Sequence, residues 1–234
     1  MENNIQKNTA VVFGITGGIG GAIGRLLLKE GWQVFGVGRN PEKLKNFETE
    51  NPGIIPVLSD LKSEEETLVL WREILKNTDK VDLIVMAAGN ISVDSKFPGE
   101  TKEEKEANAI TGLINDNFLT KVRIDKSFRK LFDPKETILN VISSHAAYFA
   151  PTDIRRENEE GYVVSMKLTS RWAKGLSKNG VYKSIVLEEP GLINTKKVFQ
   201  SLNKETIGVD LNPDDGKDED SYAREIYEQV KKFI

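Results

Sequence analysis

The sequence predicts an α/β fold: a doubly wound parallel sheet covered by helices on both faces, in three αβα layers. Three observations carry that prediction. Apolar runs of strand length alternate with amphipathic helical stretches along almost the whole chain, the pattern of repeated strand–helix–strand units. The strand-like runs are rich in Val and Ile without regular polar alternation, as expected for strands covered on both faces. The first of them also runs straight into a glycine-rich junction, GITGGIGGAIG, that opens a helix. At 234 residues the chain is most simply one domain, 1–234, long enough to bury a substantial core.

The elements follow in order. TAVVF (9–13) precedes a helix from Ile19 to about Lys29, and WQVFGVG (32–38) precedes a helix opening at Pro41, a residue suited to a first helical turn. IIPVLS (54–59) leads to SEEETLVLWREIL, where Ser63 and Glu66 have the spacing of a capping box. VDLIVMAA (81–88) comes before a long stretch whose helix starts at Thr101, with Glu104 as the reciprocal cap. ETILNVIS (136–143) is followed by a helix around Tyr162 to Leu176, then by YKSIVLE (182–188). Residues 203–220 are polar and rich in turn formers and read as a mobile loop. SYAREIYEQVKKFI forms a last amphipathic helix.

Composition narrows the function classes. A net charge of −3 gives no electrostatic case for nucleic acid or an anionic membrane as partner. No apolar run approaches the ~20 residues that span a bilayer. The polar start MENNIQKN lacks the apolar core of a secretory signal, so a cytoplasmic location is expected. There is no cysteine and a single histidine, His145, which removes disulfides, thiol nucleophiles and thiolate or histidine-rich metal sites. Chemistry must come from Ser, Tyr, Lys, carboxylates or a borrowed cofactor.

The glycine junction names that cofactor's class. Gly14, Gly18 and Gly20 give G-x-x-x-G-x-G between a strand and a helix, with Thr16 and Ile19 in the same loop. Such a loop turns tightly, lets the backbone approach a pyrophosphate, and aims the free N–H groups of a helix start at the anion. This is the dinucleotide site of a Rossmann fold. Arg39 then selects between cofactors: it follows the second strand, where an acid would pair with a ribose 2′-hydroxyl, and the preceding position is Gly38. A guanidinium there suits a 2′-phosphate, so NADP(H) is expected and NAD less so.

Read together, these segments resemble the short-chain dehydrogenase/reductase family over nearly the whole chain. Asp60-Leu61 stand where that family meets the adenine. Met86-Ala87-Ala88-Gly89 is similar to its Asn-Asn-Ala-Gly turn with both asparagines lost, leaving Ala88 and Gly89 as cofactor contacts. Asn117, in INDNFLTKV, matches the helix Asn that holds a relay water. Ser143-Ser144 close the fifth strand where the family's catalytic Ser lies, with Ser144 the better match. Pro190-Gly191-Leu192-Ile193-Asn194-Thr195 matches the segment meeting the nicotinamide, through Pro190, Gly191, Ile193 and Thr195. The resemblance implies an oxidoreductase acting on a small-molecule carbonyl or alcohol, with a homodimer through the Asn117 and Lys167 helices as a possible assembly.

One segment departs from that pattern. In the family, a helix Tyr is the general acid/base and a Lys four residues later tunes it and binds the nicotinamide ribose. Here YVVSMK places Lys167 five residues after Tyr162. Four residues advance a helix by about 400°, five by about 500°, so a regular helix would separate the two by ~140°. Three readings stay open. The helix begins after Tyr162, or carries an extra residue, so the phenol swings into the site beside Lys167 and Ser144; or Tyr162 is structural and the acid is missing; or Tyr148 replaces it. The first makes the protein an enzyme. The second makes it a catalytically impaired relative that binds NADP(H) as a sensor or interaction partner.

Overall fold

The computed structural model describes residues 7–90, 98–144, 160–190, 193–194 and 217–234. Six parallel strands form the central sheet: β1 (Thr9–Phe13), β2 (Gln33–Gly38), β3 (Ile54–Leu58), β4 (Leu83–Met86), β5 (Ile138–Ile142) and β6 (Ser184–Glu188). Their spatial order is β3-β2-β1-β4-β5-β6, with in-register pairs such as Val11 against Phe35 and Ile84. The strand order reverses between β1 and β4, and the carboxyl ends on either side of that reversal form the crevice where open α/β sheets bind ligands. This is a Rossmann sheet.

Period-two geometry sends alternate side chains of each strand to opposite faces. Ala10, Val12, Val34, Leu83 and Val85 pack beneath α1 (Gly18–Lys29) and the last helix, α7 (Glu219–Val230), which contributes Tyr222, Ile226 and Val230. Val11, Phe13, Phe35, Ile84 and Leu139 face the other layer: α3 (Glu64–Leu75), α5 (Thr120–Phe128) and α6 (Glu160–Lys178). Trp71 centres that layer. It is fully buried, edge-on to Phe13 at 5.5 Å, and its indole N–H is satisfied by the Ile124 carbonyl at 3.2 Å.

Local chemistry starts the helices where the residues said it would. Asn40 caps α2 (Pro41–Glu50), and Ser63 with Glu66 forms a complete capping box on α3. Thr101 with Glu104 does the same for α4 (Lys102–Ile114). Three features differ from expectation. α6 begins at Glu160, so Tyr162 lies inside its first turn rather than before it. α4 runs into α5 through a π-helical stretch, Asn115–Leu119, in which the Thr120 N–H reaches back five residues to the Asn115 carbonyl. Finally, the last four residues of the expected 203–220 loop are ordered: Lys217–Asp218 form β8, paired in parallel with β7 (Ile193–Asn194), and α7 starts at Glu219.

Candidate active site

The site is assembled at the carboxyl ends of β1, β2, β4 and β5. Gly14 leaves β1 with φ 84°, a left-handed conformation, and its N–H and that of Ile15 both donate to the Val37 carbonyl at 3.0 and 3.2 Å. That ties the loop to β2 and sets the half-buried Thr16 beside Gly38. Gly20, in the first turn of α1, lies so close to this loop that a Cβ would sit 2.3 Å from the Gly14 carbonyl oxygen. Only glycine permits that approach. The α1 start, at Gly18 and Ile19, has no side-chain cap and no acid in its first turn. The starts of α2, α3, α4 and α7 are all capped by Asn, Ser, Thr or Asp. An uncapped helix start leaves N–H groups and a positive dipole end for an anion.

Two further turns flank this loop. Arg39 is exposed just past β2. Beyond β3, Asp60 is ion-paired with Lys62, and the Arg39 charge is close enough to oppose the protonation of Lys62. Leu61 between them is buried in the core at φ 60°, the one non-glycine residue in the left-handed region among the described residues. Such strain costs about 1 kcal/mol or more and concentrates where a turn is held for a ligand.

At β4 the turn Ala87-Ala88-Gly89-Asn90 packs directly on the glycine loop: a Cβ on Gly14 would lie 2.8 Å from the Ala88 nitrogen. Asn117, fully buried, holds the far side of this turn. Its Oδ1 accepts from the Asn90 N–H at 2.6 Å, and its Nδ2 donates to the Asn90 carbonyl at 2.8 Å and to Ser165 Oγ on α6 at 3.1 Å. The Asn117 carbonyl is engaged as well, accepting from Lys121 Nζ at 2.7 Å and Thr169 Oγ1 at 3.3 Å.

The two serines that close β5 diverge. Ser143 turns into the protein and bonds the Met166 carbonyl at 3.1 Å and Ser170 Oγ at 2.8 Å. Ser144 is hydrogen-bonded to the Tyr162 phenol. Burial raises the Tyr162 pKa above its ordinary 10.0, and the Ser144 hydroxyl opposes this in part. A regular first turn thus delivers Tyr162 to Ser144 without the late start or extra residue that the spacing had suggested. Gly161 allows it, since a Cβ there would come within 2.7 Å of Ile110 Cα on α4.

The same regularity separates Tyr162 from Lys167. One turn after Tyr162, on its face of the helix, stands Met166, 4% exposed. Lys167 is half-buried and makes no hydrogen bond or ion pair among the described residues. A different lysine lies within the site. Lys121 is 2% exposed, and its ammonium donates to the Ala88 carbonyl at 3.1 Å as well as to Asn117. Its signal in the sequence was its register: Leu113, Asn117, Ile124 and Phe128 mark one buried helix face, and Lys121 falls on it. Pro190 is half-buried after β6, and Ile193 pairs with Lys217 through the backbone of β7. Gly191, Thr195, Tyr148 and His145 lie outside the described residues.

Residues 8–155 match the family described as short chain dehydrogenase. The chain belongs to that family. Among curated relatives of this short-chain dehydrogenase, Dehydrogenase/reductase SDR family member 11 of Bos taurus is 25% identical over 206 residues, covering 86% of this chain and 80% of that one. The NADPH-dependent pterin aldehyde reductase of Arabidopsis thaliana is 25% identical over 201 residues, covering 82% and 77%. A solved alcohol dehydrogenase from Thermococcus sibiricus, complexed with 5-hydroxy-NADP, superposes with a TM-score of 0.73 over 97% of this chain and 91% of that one. At 18% identity that last likeness is one of fold. Membership makes the chain an oxidoreductase. No helix among the described residues is long and apolar enough to cross a membrane.

Proposed function

We propose that this short-chain dehydrogenase is an NADP(H)-dependent enzyme that moves hydride between nicotinamide and a small carbonyl or alcohol. The observation that carries the reading is the Tyr162–Ser144 hydrogen bond at the end of β5, beside the Asn117 turn. The cleft suits a dinucleotide: Gly14 and Gly20 let the loop fold tightly against the α1 start and the β4 turn, and the uncapped start of α1 supplies donors. Arg39, with Lys62 near it, supplies positive charge for a 2′-phosphate, while Asp60 and Leu61 border the adenine. Ala88, Gly89, Pro190, Gly191, Ile193 and Thr195 are assigned to the nicotinamide half by family resemblance.

When bound, the reduced cofactor supplies hydride to the carbonyl carbon. Ser144 donates a hydrogen bond to the carbonyl oxygen and fixes its position. Tyr162 passes its phenol proton to that oxygen, so a C–H and an O–H bond form as the C=O π bond is lost. The Asn117 side chain holds the Asn90 turn against the first turn of α6 through Ser165, and so holds the phenol.

The alternative, a cofactor-binding protein without turnover, is favoured by one observation: Met166 occupies the position where the family carries its lysine. Protein fluorescence titrated with NADPH and NADH, followed by NADPH absorbance over a panel of small aldehydes, ketones and quinones, decides between them. At least tenfold tighter binding of NADPH, ~1.4 kcal/mol, and measurable turnover are expected. Tight binding with no turnover transfers the site to the sensor reading. Equal affinities refute the role given to Arg39. A second copy of the chain is proposed to pack on the α5–α6 face, where Leu119 is 39% exposed beside the Phe118–Trp172 edge contact.

A further inference from the structure

Lys121 has no part in the reading above, yet it is the most deeply placed cation in the site. Its ammonium bonds two backbone carbonyls, Ala88 at 3.1 Å and Asn117 at 2.7 Å. Ala88 in turn abuts the glycine loop, where a Cβ on Gly14 would lie 2.8 Å from its nitrogen. One side chain therefore links the glycine loop, the β4 turn and the helix that carries Asn117. It follows the π-helical stretch directly, and the Asn117 carbonyl within that stretch accepts from two side chains, Lys121 and Thr169.

The location is costly. Among the described residues no carboxylate pairs with Lys121, and burial lowers its pKa from the ordinary 10.5 to about 8. An apolar side chain would avoid that penalty. Meanwhile the Tyr162 face of α6 carries Met166 where a cation is expected, and Lys167 is turned off that face.

We propose that Lys121 is a positioning residue of the dinucleotide site, supplying from α5 the buried positive charge that α6 does not present on the Tyr162 face. The proposal rests on the NADP(H) reading. It acts in two separable ways. As a clamp, the amine needs two N–H groups for its two carbonyls, and it has them whether or not it is protonated. As a charge, it favours an anionic ligand only while protonated. The ionisable groups on the packed elements include Asp116 in the π-helical stretch, Arg123, Asp125 and Lys126 on α5, and Tyr162, Lys167, Arg171, Lys174 and Lys178 on α6. Asp125 is committed to Tyr182 and Arg129, both at 2.7 Å.

NADPH affinity, read by protein fluorescence, tests this on wild type, Lys121→Met and Lys167→Met from pH 7 to 9.5, above the range where a 2′-phosphate titrates. Melting curves verify that each variant is folded. Lys121→Met is expected to bind NADPH about tenfold or more weakly at pH 7. Wild-type affinity is expected to fall several-fold as pH rises through about 8, a step absent from Lys121→Met. The wild-type pH profile stands even where the variant fails to fold. A folded Lys121→Met with wild-type affinity, or a wild-type affinity flat across the range, overturns the proposal. So does a loss confined to Lys167→Met, which returns the role to α6. A wild type that binds neither dinucleotide refutes the NADP(H) reading itself, and the proposal with it.

Discussion

The glycine loop and the α4–α6 helices are the two halves of one cleft, and they are built by different means. Around β1 and α1 the site consists of backbone: a left-handed Gly14, a Gly20 with no room for a Cβ, and an uncapped helix start. In the other half it consists of side chains: Tyr162 on Ser144, Asn117 on Asn90 and Ser165, Lys121 on two carbonyls. Backbone geometry of this kind admits few substitutes, because a side chain at Gly14 or Gly20 would meet backbone. A side chain can be supplied from a neighbouring helix, and the second half retains Asn117 and Ser144 while Met166 stands one turn after Tyr162 and the buried cation, Lys121, comes from α5.

That contrast predicts how each half fails. The largest effect belongs to Gly20→Val. Its Cβ would meet the Gly14 carbonyl oxygen at 2.3 Å, and the obstacle is backbone. NADPH binding is expected to vanish in a fluorescence titration, with a melting temperature well below wild type. Normal binding by a folded Gly20→Val would show that the loop is not the dinucleotide cradle.

The next effect belongs to the buried cation. Lys121 has a folded pKa of about 8 against an ordinary 10.5. Between those values the unfolded chain holds the proton and the folded chain does not, so stability rises with pH across that window. Below about 8 both states are protonated and the full cost of burying the charge remains. Wild type should therefore gain stability relative to Lys121→Met between pH 8 and 10.5, with a ceiling of about 3 kcal/mol. Urea midpoints of the two proteins at each pH measure it. NADPH affinity should move the opposite way over the same window, a pairing that a purely structural lysine would not give.

The smallest effect is at the rim. Arg39 is exposed, and Arg39→Ala should remove an NADPH preference of about tenfold, ~1.4 kcal/mol, while leaving NADH binding in place. Parallel titrations with the two dinucleotides report it. An unchanged preference would move the 2′-phosphate site to Lys62 or elsewhere.

The backbone half was also the legible half. Strands buried on both faces, Pro41 at a helix start and the Ser63–Glu66 box are local signals, and each sits where its residues said, as does the Thr101–Glu104 box at the start of the other half. The side-chain half was only partly legible. The five-residue gap from Tyr162 to Lys167 pointed to a helix irregularity, and one exists, but it lies in Asn115–Leu119 on the neighbouring helix. No local pattern marks a π-helical turn that is held by packing against α6. Lys121 is hard to read as buried because lysines are almost always exposed, although it falls on the Leu113–Asn117–Ile124–Phe128 face. The start of α6 was hidden for a similar reason: Gly161 permits it through Ile110, some fifty residues earlier in the chain.

In the proposed reaction Tyr162 serves as the site's acid from within a regular helix. The direct test is steady-state turnover by wild type and Tyr162→Phe on whichever small carbonyl the NADPH absorbance assay identifies, with NADPH affinity measured on both. The phenylalanine keeps the ring and removes only the hydroxyl bonded to Ser144. Turnover is expected to fall by about 10²-fold or more, with NADPH affinity unchanged. Turnover that survives in Tyr162→Phe would contradict this role and leave the phenol a structural partner of Ser144.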